Sequence, residues 1–216
     1  MIVTIDGPAG SGKSTAARML AKRLGIRFLD TGAMYRAVAL ECLRAGIDPA
    51  DEPAAGKLAQ SLWIEFDREQ DRILCNGEDV TDSIRTTEVT NASSKVALIP
   101  AVRSAMVTLQ RKAAAGDDIV SEGRDQGTVV FPEAEFKFFL TASDEVRADR
   151  RRRDLHASGD AISREDMLAQ LRERDERDKG RPVAPLRPAD DAVVIDTSDH
   201  SVEQMLAEME RIIRAA

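Results

Sequence analysis

Apolar positions along the chain follow two alternating rhythms. Ile2-Val3-Thr4-Ile5 is a short β-branched run stopped by Asp6-Gly7-Pro8, which predicts a buried strand leading into a turn. From Ser14 to Leu24, the residues Ala17, Leu20, Ala21 and Leu24 recur at helical spacing, and Gly25 supplies a stop, so a helix follows the turn. The alternation returns at 118–121 ahead of Glu122-Gly123, at 136–140 and at 192–195, with helical patterns between these runs. Strands alternating with helices predict an α/β fold: a parallel sheet covered by helices, with the working loops at the carboxyl ends of the strands.

Two stretches break this rhythm. Trp63-Ile64-Glu65-Phe66 and Arg72-Ile73-Leu74-Cys75 bracket a polar turn and are followed by Asn76-Gly77, which predicts a small antiparallel sheet set apart from the main one. Residues 143–182 are helix-compatible, charged throughout and poor in apolar positions, which predicts a solvent-facing or mobile segment. No repeat, low-complexity tract or linker divides the chain. The expected organisation is a single unit over 1–216, with a core (about 1–32, 99–144 and 183–216), an insert (about 33–98) and a helical lid (about 145–182).

Composition narrows the choice of partners. With 216 residues, 43% of them hydrophobic, the chain buries a full core without metals or disulfides. Its net charge of −7 argues against a broad nucleic-acid footprint, so any phosphate site must be local. Cys42 and Cys75 have no metal-ligand spacing and are expected to be reduced packing residues. The N-terminus lacks a basic signal-like region, and no run approaches the roughly 18 apolar residues of a membrane span. A soluble, cytoplasmic monomer is the expectation.

The chemistry begins with Gly7-Pro8-Ala9-Gly10-Ser11-Gly12-Lys13-Ser14, which matches G-x-x-x-x-G-K-[ST] between a predicted strand and a predicted helix. The glycines let backbone N–H groups curl around phosphate oxygens at the positive end of a helix dipole. Lys13 adds a mobile charge for the β and γ phosphates, Ser14 offers a hydroxyl to Mg²⁺, and Thr15 completes the nucleotide-binding stretch. Such a loop implies a nucleoside triphosphate and nothing narrower. The lack of an Asn-Lys-x-Asp motif counts against a GTPase switch, and the chain length counts against a motor.

Further along, Arg36 lies one helical turn beyond Gly32 in Asp30-Thr31-Gly32-Ala33-Met34-Tyr35-Arg36, where a guanidinium can face back and clamp a second phosphate bidentately. Arg124 and Asp125 follow the strand at 119–121 and so fall at the carboxyl end of the sheet. A carboxylate there can accept the exocyclic amino group of cytosine, whereas uracil presents a carbonyl. The run Glu173 to Asp178 reads equally well as a helix surface laced with ion pairs, and Arg147 with Arg150 to Arg153 as an RNA-binding patch. Another small-molecule kinase on the same fold is a further alternative.

Taken together, five ordered segments make the chain resemble the bacterial cytidylate kinases from Ile2 to about Ser198. They are 5–14, 30–36, 84–89, 123–132, and 173–178 with 183–186. The resemblance implies a P-loop NTPase-type parallel sheet, a monophosphate-binding insert containing a small antiparallel sheet, and a short helical lid. It implies phosphorylation of CMP and dCMP by ATP with Mg²⁺, with no nucleic-acid or membrane partner. By the same resemblance Arg36 and Arg124 hold the acceptor phosphate, and Ser94, Arg103 and Asp125 read cytosine. Asp178 and Arg181 contact the sugar, Thr31 and Tyr35 line the pocket, and Arg174 reaches the phosphates when the lid closes. With Lys13, the residues Arg36, Arg124 and Arg174 make the catalytic set. The chain departs from the family pattern with Thr31 where serine is frequent, Glu122 where aspartate is common, and Gln126 where an apolar residue is usual. The last puts a polar side chain beside Asp125.

Overall fold

The structure, a computed structural model, describes residues 1–67, 72–157 and 162–215. Their packing forms two compact units, Met1–Leu29 with Asp117–Ala216, and Asp30–Gly116.

In the first unit, β1 (Ile2–Asp6) is the middle strand of a five-stranded sheet with β2 (Arg27–Asp30), β6 (Ile119–Gly123), β7 (Phe136–Thr141) and β8 (Val193–Asp196), in the order β2-β6-β1-β7-β8. β1 pairs in parallel with β6, Ile5 opposite Glu122, and with β7, Ile5 opposite Phe138; β7 pairs in parallel with β8. Because β1 is covered on both faces, its β-branched run needs no polar alternation, and Val3, Thr4 and Ile5 are all buried. The register brings Asp6 level with Gly123, so the loops that follow β1 and β6 leave the sheet side by side.

Helix α1 (Lys13–Leu24) follows β1 and ends at Gly25, as its spacing predicts. It buries Ala16, Ala17, Leu20 and Ala21 in one cluster with Phe138, Leu140 and Ile195. Helix α8 (Val202–Arg214) adds Met205, Leu206 and Met209 to that cluster. A capping box starts α8: the Ser201 hydroxyl accepts from the Gln204 N–H, and the Gln204 side chain accepts from the Ser201 N–H.

The described residues of 143–182 are largely solvent-facing, as expected, but one face of the segment is covered. They form helices α6 (Asp144–Ala157) and α7 (Arg164–Gly180), whose inner faces bury Ala148, Met167 and Leu171 around Ala9 of the phosphate loop. The apolar seam is only one residue wide on α6, too narrow to register as periodicity, and buried polar groups complete it. Four of the five arginines between 147 and 153 are engaged within the protein. Arg147 is buried in ion pairs, Arg150 donates to the Thr197 side chain and carbonyl, and Arg152 and Arg153 donate to the Ile162 and Asp149 carbonyls.

The second unit holds α2 (Thr31–Arg44), α3 (Glu52–Ser61), α4 (Thr87–Val96) and α5 (Pro100–Ala114), with a three-stranded antiparallel sheet of β3 (Ile64–Asp67), β4 (Arg72–Cys75) and β5 (Glu78–Asp79). Asp30, Asp51 and Thr86 cap α2, α3 and α4 by accepting from Ala33, Ala54 and Val89 N–H groups. Asn76-Gly77 makes the two-residue turn from β4 to β5 with both φ positive, 51° and 84°. The polar turn expected between β3 and β4 falls on residues 68–71 and lies outside the described residues.

Met34, Val38, Ile84, Val102 and Met106 fill this unit's own core, along with Cys42 and Cys75, both free thiols whose burial pushes their pKa up to about 11. The second unit runs on to Gly116, past the expected insert boundary at 98. The reason is α5, which buries Val102 and Met106 in the same cluster and sets Ala101 against Gly56 of α3.

Candidate active site

The phosphate loop is held from several sides. A side chain at Gly7 would bring its Cβ within 2.2 Å of the Leu140 carbonyl of β7, and one at Gly10 within 2.9 Å of the Arg147 carbonyl of α6, where φ is also +78°. Both positions therefore admit only glycine. The Ser11 carbonyl accepts from the Thr197 hydroxyl at 3.0 Å. Pro8 and Ala9 are buried, Gly12 is the N-cap of α1, and Thr15 is exposed on that helix's first turn.

Lys13 is buried and its ammonium donates to the Pro8 carbonyl at 3.2 Å. Burial, then the Arg124 charge, push its pKa down to about 7 against the pull of Glu122; Arg174 adds to the lowering and Asp178 opposes it. That list locates the lysine among the groups named from the sequence: Lys13, Arg124, Arg174 and Asp178 share one electrostatic neighbourhood. The Arg124 Nε donates to Asp178 Oδ2 at 3.0 Å and its Nη1 to the Gly123 carbonyl at 3.1 Å. Arg181 Nε donates to the Asp178 carbonyl at 3.2 Å. Although burial alone would raise it, the Asp178 carboxyl is held below its ordinary pKa by Arg124, Arg174 and Arg181. Asp178 thus sits among three guanidinium groups, of which Arg124 and Arg174 also act on the lysine.

Ser14 donates its hydroxyl to Glu122 Oε1 at 3.0 Å. A hydroxyl and a carboxylate side by side next to a phosphate loop match the donor set of Mg²⁺, which accepts one or two protein oxygens and leaves its other positions to water and phosphate.

After β6 the chain makes a π-type turn at Gln126–Val130, a geometry frequent at functional sites. Asp125 precedes it, is buried, and accepts at its carbonyl from Val129 and Val130 N–H. Asp6, at the end of β1, grips the turn with both carboxylate oxygens: Oδ1 accepts from Gln126 N–H at 2.9 Å and Oδ2 from Gly127 N–H at 2.8 Å. Burial pushes the Asp6 pKa up to about 7 despite those two N–H groups; nearby Asp125 adds to the rise and Arg124 opposes it. Gln126 is buried, and its side-chain carbonyl accepts from the Ser121 hydroxyl at 2.8 Å. Its polar group is thus spent inside the core of the first unit, fixing the turn that carries Asp125.

In the second unit, the Arg36 guanidinium folds back over the first turn of α2, so that a Cβ at Gly32 would lie 3.6 Å from its Nη1, as the one-turn spacing predicts. Asp30 Oδ2 accepts from Arg85 Nη2 at 3.2 Å. Arg103 is buried, donates to the Ala97 carbonyl at 3.1 Å and stacks over the Tyr35 ring, 5.7 Å from its centroid. Thr31 is buried, and the Ser94 hydroxyl donates to the Asn91 carbonyl one turn back on α4.

Asp6, Glu122 and Arg147 were not singled out as site residues. An acid ending the strand before the loop and an acid ending the adjacent strand were readable signals for the first two. Arg147, inside a run of arginines, gave none.

The sequence profile of the family described as cytidylate kinase matches residues 3–215. A cytidylate kinase of Pelotomaculum thermopropionicum is 51% identical over 207 residues, covering 94% of this chain and 92% of the relative. One of Mycobacterium avium is also 51% identical, over 217 residues, covering 99% of this chain and 95% of the relative. A solved structure of an uncharacterized protein from Eubacterium ventriosum shares the fold with a TM-score of 0.53 at 13% identity, covering 100% of this chain and 99% of that one. A match across nearly the full length, together with a phosphate loop at the end of β1 and arginines gathered around its lysine, makes this chain a member of the cytidylate kinase family.

Proposed function

We propose that this protein transfers the γ-phosphate of ATP to CMP and dCMP, giving ADP with CDP or dCDP. The observation that carries the reading is the cluster of buried Lys13 with half-buried Arg124, Arg174 and Asp178 at the phosphate loop, in a chain whose relatives are cytidylate kinases. Phosphoryl transfer through a loose transition state asks mainly for alignment and positive charge. Lys13 and Arg174 meet the triphosphate, Arg124 and Arg36 hold the acceptor phosphate, and residues Gly7 to Thr15 bind ATP. Ser14 and Glu122 would hold Mg²⁺, which would supply charge neutralisation for the phosphates. Arg124 is preoriented by Asp178, so it loses little freedom when it engages an anion.

The cytosine ring is read by Ser94, Arg103 and Asp125, the sugar by Asp178 and Arg181, while Thr31 and Tyr35 line the same pocket. Support for Asp125 as the discriminator comes from its fixed backbone, gripped on the far side through Asp6 and Gln126. Residues 33–98 serve as the monophosphate-binding insert, and 145–182 close as a lid that keeps water from the phosphoryl group. The protein works as a cytoplasmic monomer without nucleic-acid or membrane partners. No helix among the described residues is long and apolar enough to cross a membrane.

The test is ADP release from ATP and Mg²⁺ with CMP, dCMP, UMP and AMP in parallel. Turnover with CMP and dCMP well above UMP and AMP is expected; an equal or greater rate with UMP would overturn the base assignment.

A further inference from the structure

One buried cation in the first unit touches neither the proposed acceptor residues nor Lys13, and yet it joins three segments. Arg147 of α6 has a side chain only 4% exposed. Its Nη1 donates to the Ala9 carbonyl of the phosphate loop at 3.1 Å. Its Nη2 reaches Asp144 Oδ1 at 2.5 Å on its own helix and Asp175 Oδ2 at 2.6 Å on α7. Asp175 is itself 9% exposed, so the pair is desolvated and each member depends on the other for its charge. Ala9, Ala148, Met167 and Leu171 form a buried apolar cluster joining the same three segments, and the Arg147 backbone lies against the loop at Gly10.

Asp175 directly follows Arg174 and lies three residues before Asp178, the acid that holds Arg124. Fixing the Asp175 carboxylate to a guanidinium that is also bonded to the loop sets the rotation and height of α7 relative to that loop. We infer that Arg147 is a positioning residue for phosphoryl transfer, tying α7 to the phosphate loop so that Arg174 is delivered to the phosphates near Lys13. The inference rests on the functional reading above. A guanidinium suits the task because its planar fork serves three acceptors in fixed directions, whereas an ammonium is a single point that cannot span them. It also reassigns one of the arginines read from sequence as an RNA patch to an internal strut.

A mutant cycle on the full-length protein tests this. Arg147→Lys keeps the charge and shortens the fork; Asp175→Asn keeps the shape and removes the acceptor charge. Each is made alone and in an Arg174→Ala background, with kcat and the KM for ATP measured at a temperature where circular dichroism shows all variants folded. If Arg147 acts through Arg174, each substitution lowers kcat about tenfold in the wild-type background, the scale of a misplaced catalytic group. In the Arg174→Ala background the same substitution costs less than about twofold. Equal losses in both backgrounds, or unchanged kcat in both single variants, would overturn the inference. Should Arg147→Lys fail to fold, Asp175→Asn alone completes the cycle. Wild-type turnover with another acceptor and none with CMP would instead overturn the functional reading, and the cycle is then run on the acceptor that is used.

Discussion

Lys13→Met should make the protein more stable while making it nearly inactive. The Lys13 pKa falls from an ordinary 10.5 to about 7 in the folded chain, mainly through burial and then through Arg124. At about 1.36 kcal/mol per unit, holding this charge in place costs at most about 5 kcal/mol below pH 7. Methionine removes that cost at similar length and volume but leaves the buried Pro8 carbonyl without its 3.2 Å donor, a loss of about 1–3 kcal/mol. The net expectation is a gain of about 2 kcal/mol at pH 6, or a rise in Tm of roughly 4–8 °C for a chain of this size.

The dependence on pH has a definite sign. A cationic group with a depressed folded pKa contributes stability above its unfolded pKa and loses it as pH falls toward the folded value. The advantage of the methionine variant is therefore largest below pH 7 and shrinks on going toward pH 10. Scanning calorimetry at pH 6 and pH 9.5, with ADP release measured on the same samples, reads both effects. Turnover should fall by about 10²-fold or more, the scale of one preorganised electrostatic donor. A variant less stable than wild type at pH 6, or one that keeps near-wild-type turnover, would refute the account of Lys13.

Three further outcomes are expected. Because Lys13 titrates near 7 in the free enzyme, kcat/KM for ATP should decline above about pH 7. Bound triphosphate raises that pKa, so the alkaline limb of kcat should lie more than one pH unit higher; coincident limbs would contradict the assignment. Ser14→Ala should raise the Mg²⁺ concentration for half-maximal rate about tenfold or more, read from a Mg²⁺ titration at fixed ATP, since it removes a hydroxyl that sits 3.0 Å from Glu122. Asp125→Ala should reduce the preference for CMP over UMP by about 1–3 kcal/mol in the ratio of kcat/KM values, the worth of one base contact; an unchanged ratio would mean that another group reads the base.

Much of the fold was legible because it rests on strong local signals. The buried run at 2–5, the glycine loop, the spacing of Ala17, Leu20 and Leu24, and the Asn76-Gly77 turn each fix a piece of backbone by sterics or burial, and each element appears within a residue or two of its expected position. Helices α6 and α7 are largely solvent-facing, as their sequence predicts, but the face they turn to the phosphate loop is held by an ion pair and by Ala148, Met167 and Leu171, too few apolar residues to read as a stripe. The packing unit runs past 98 because α5 joins its cluster through Val102 and Met106, a tertiary fact that helical periodicity does not carry.

At the site, the loop residues and the back-folded Arg36 followed from spacing alone. The roles of Asp6 and Gln126 did not, since both depend on the parallel register that sets the ends of β1 and β6 side by side. Gln126 shows the difference most clearly. In sequence it is a polar neighbour of the acid proposed to read the base, whereas in the fold its side chain turns inward to Ser121 in the turn that carries Asp125.

If this chain moves the γ-phosphate of ATP directly onto a cytidine monophosphate, the transferred phosphorus must stay in the nucleotide product. The most direct measurement follows labelled phosphate from γ-labelled ATP in the presence of CMP and Mg²⁺, with products separated as nucleotide and inorganic phosphate. Label is expected in the β position of CDP, matched mole for mole by ADP, with little released as inorganic phosphate. Label appearing mainly as inorganic phosphate, or no labelled CDP while ATP is consumed, would contradict it.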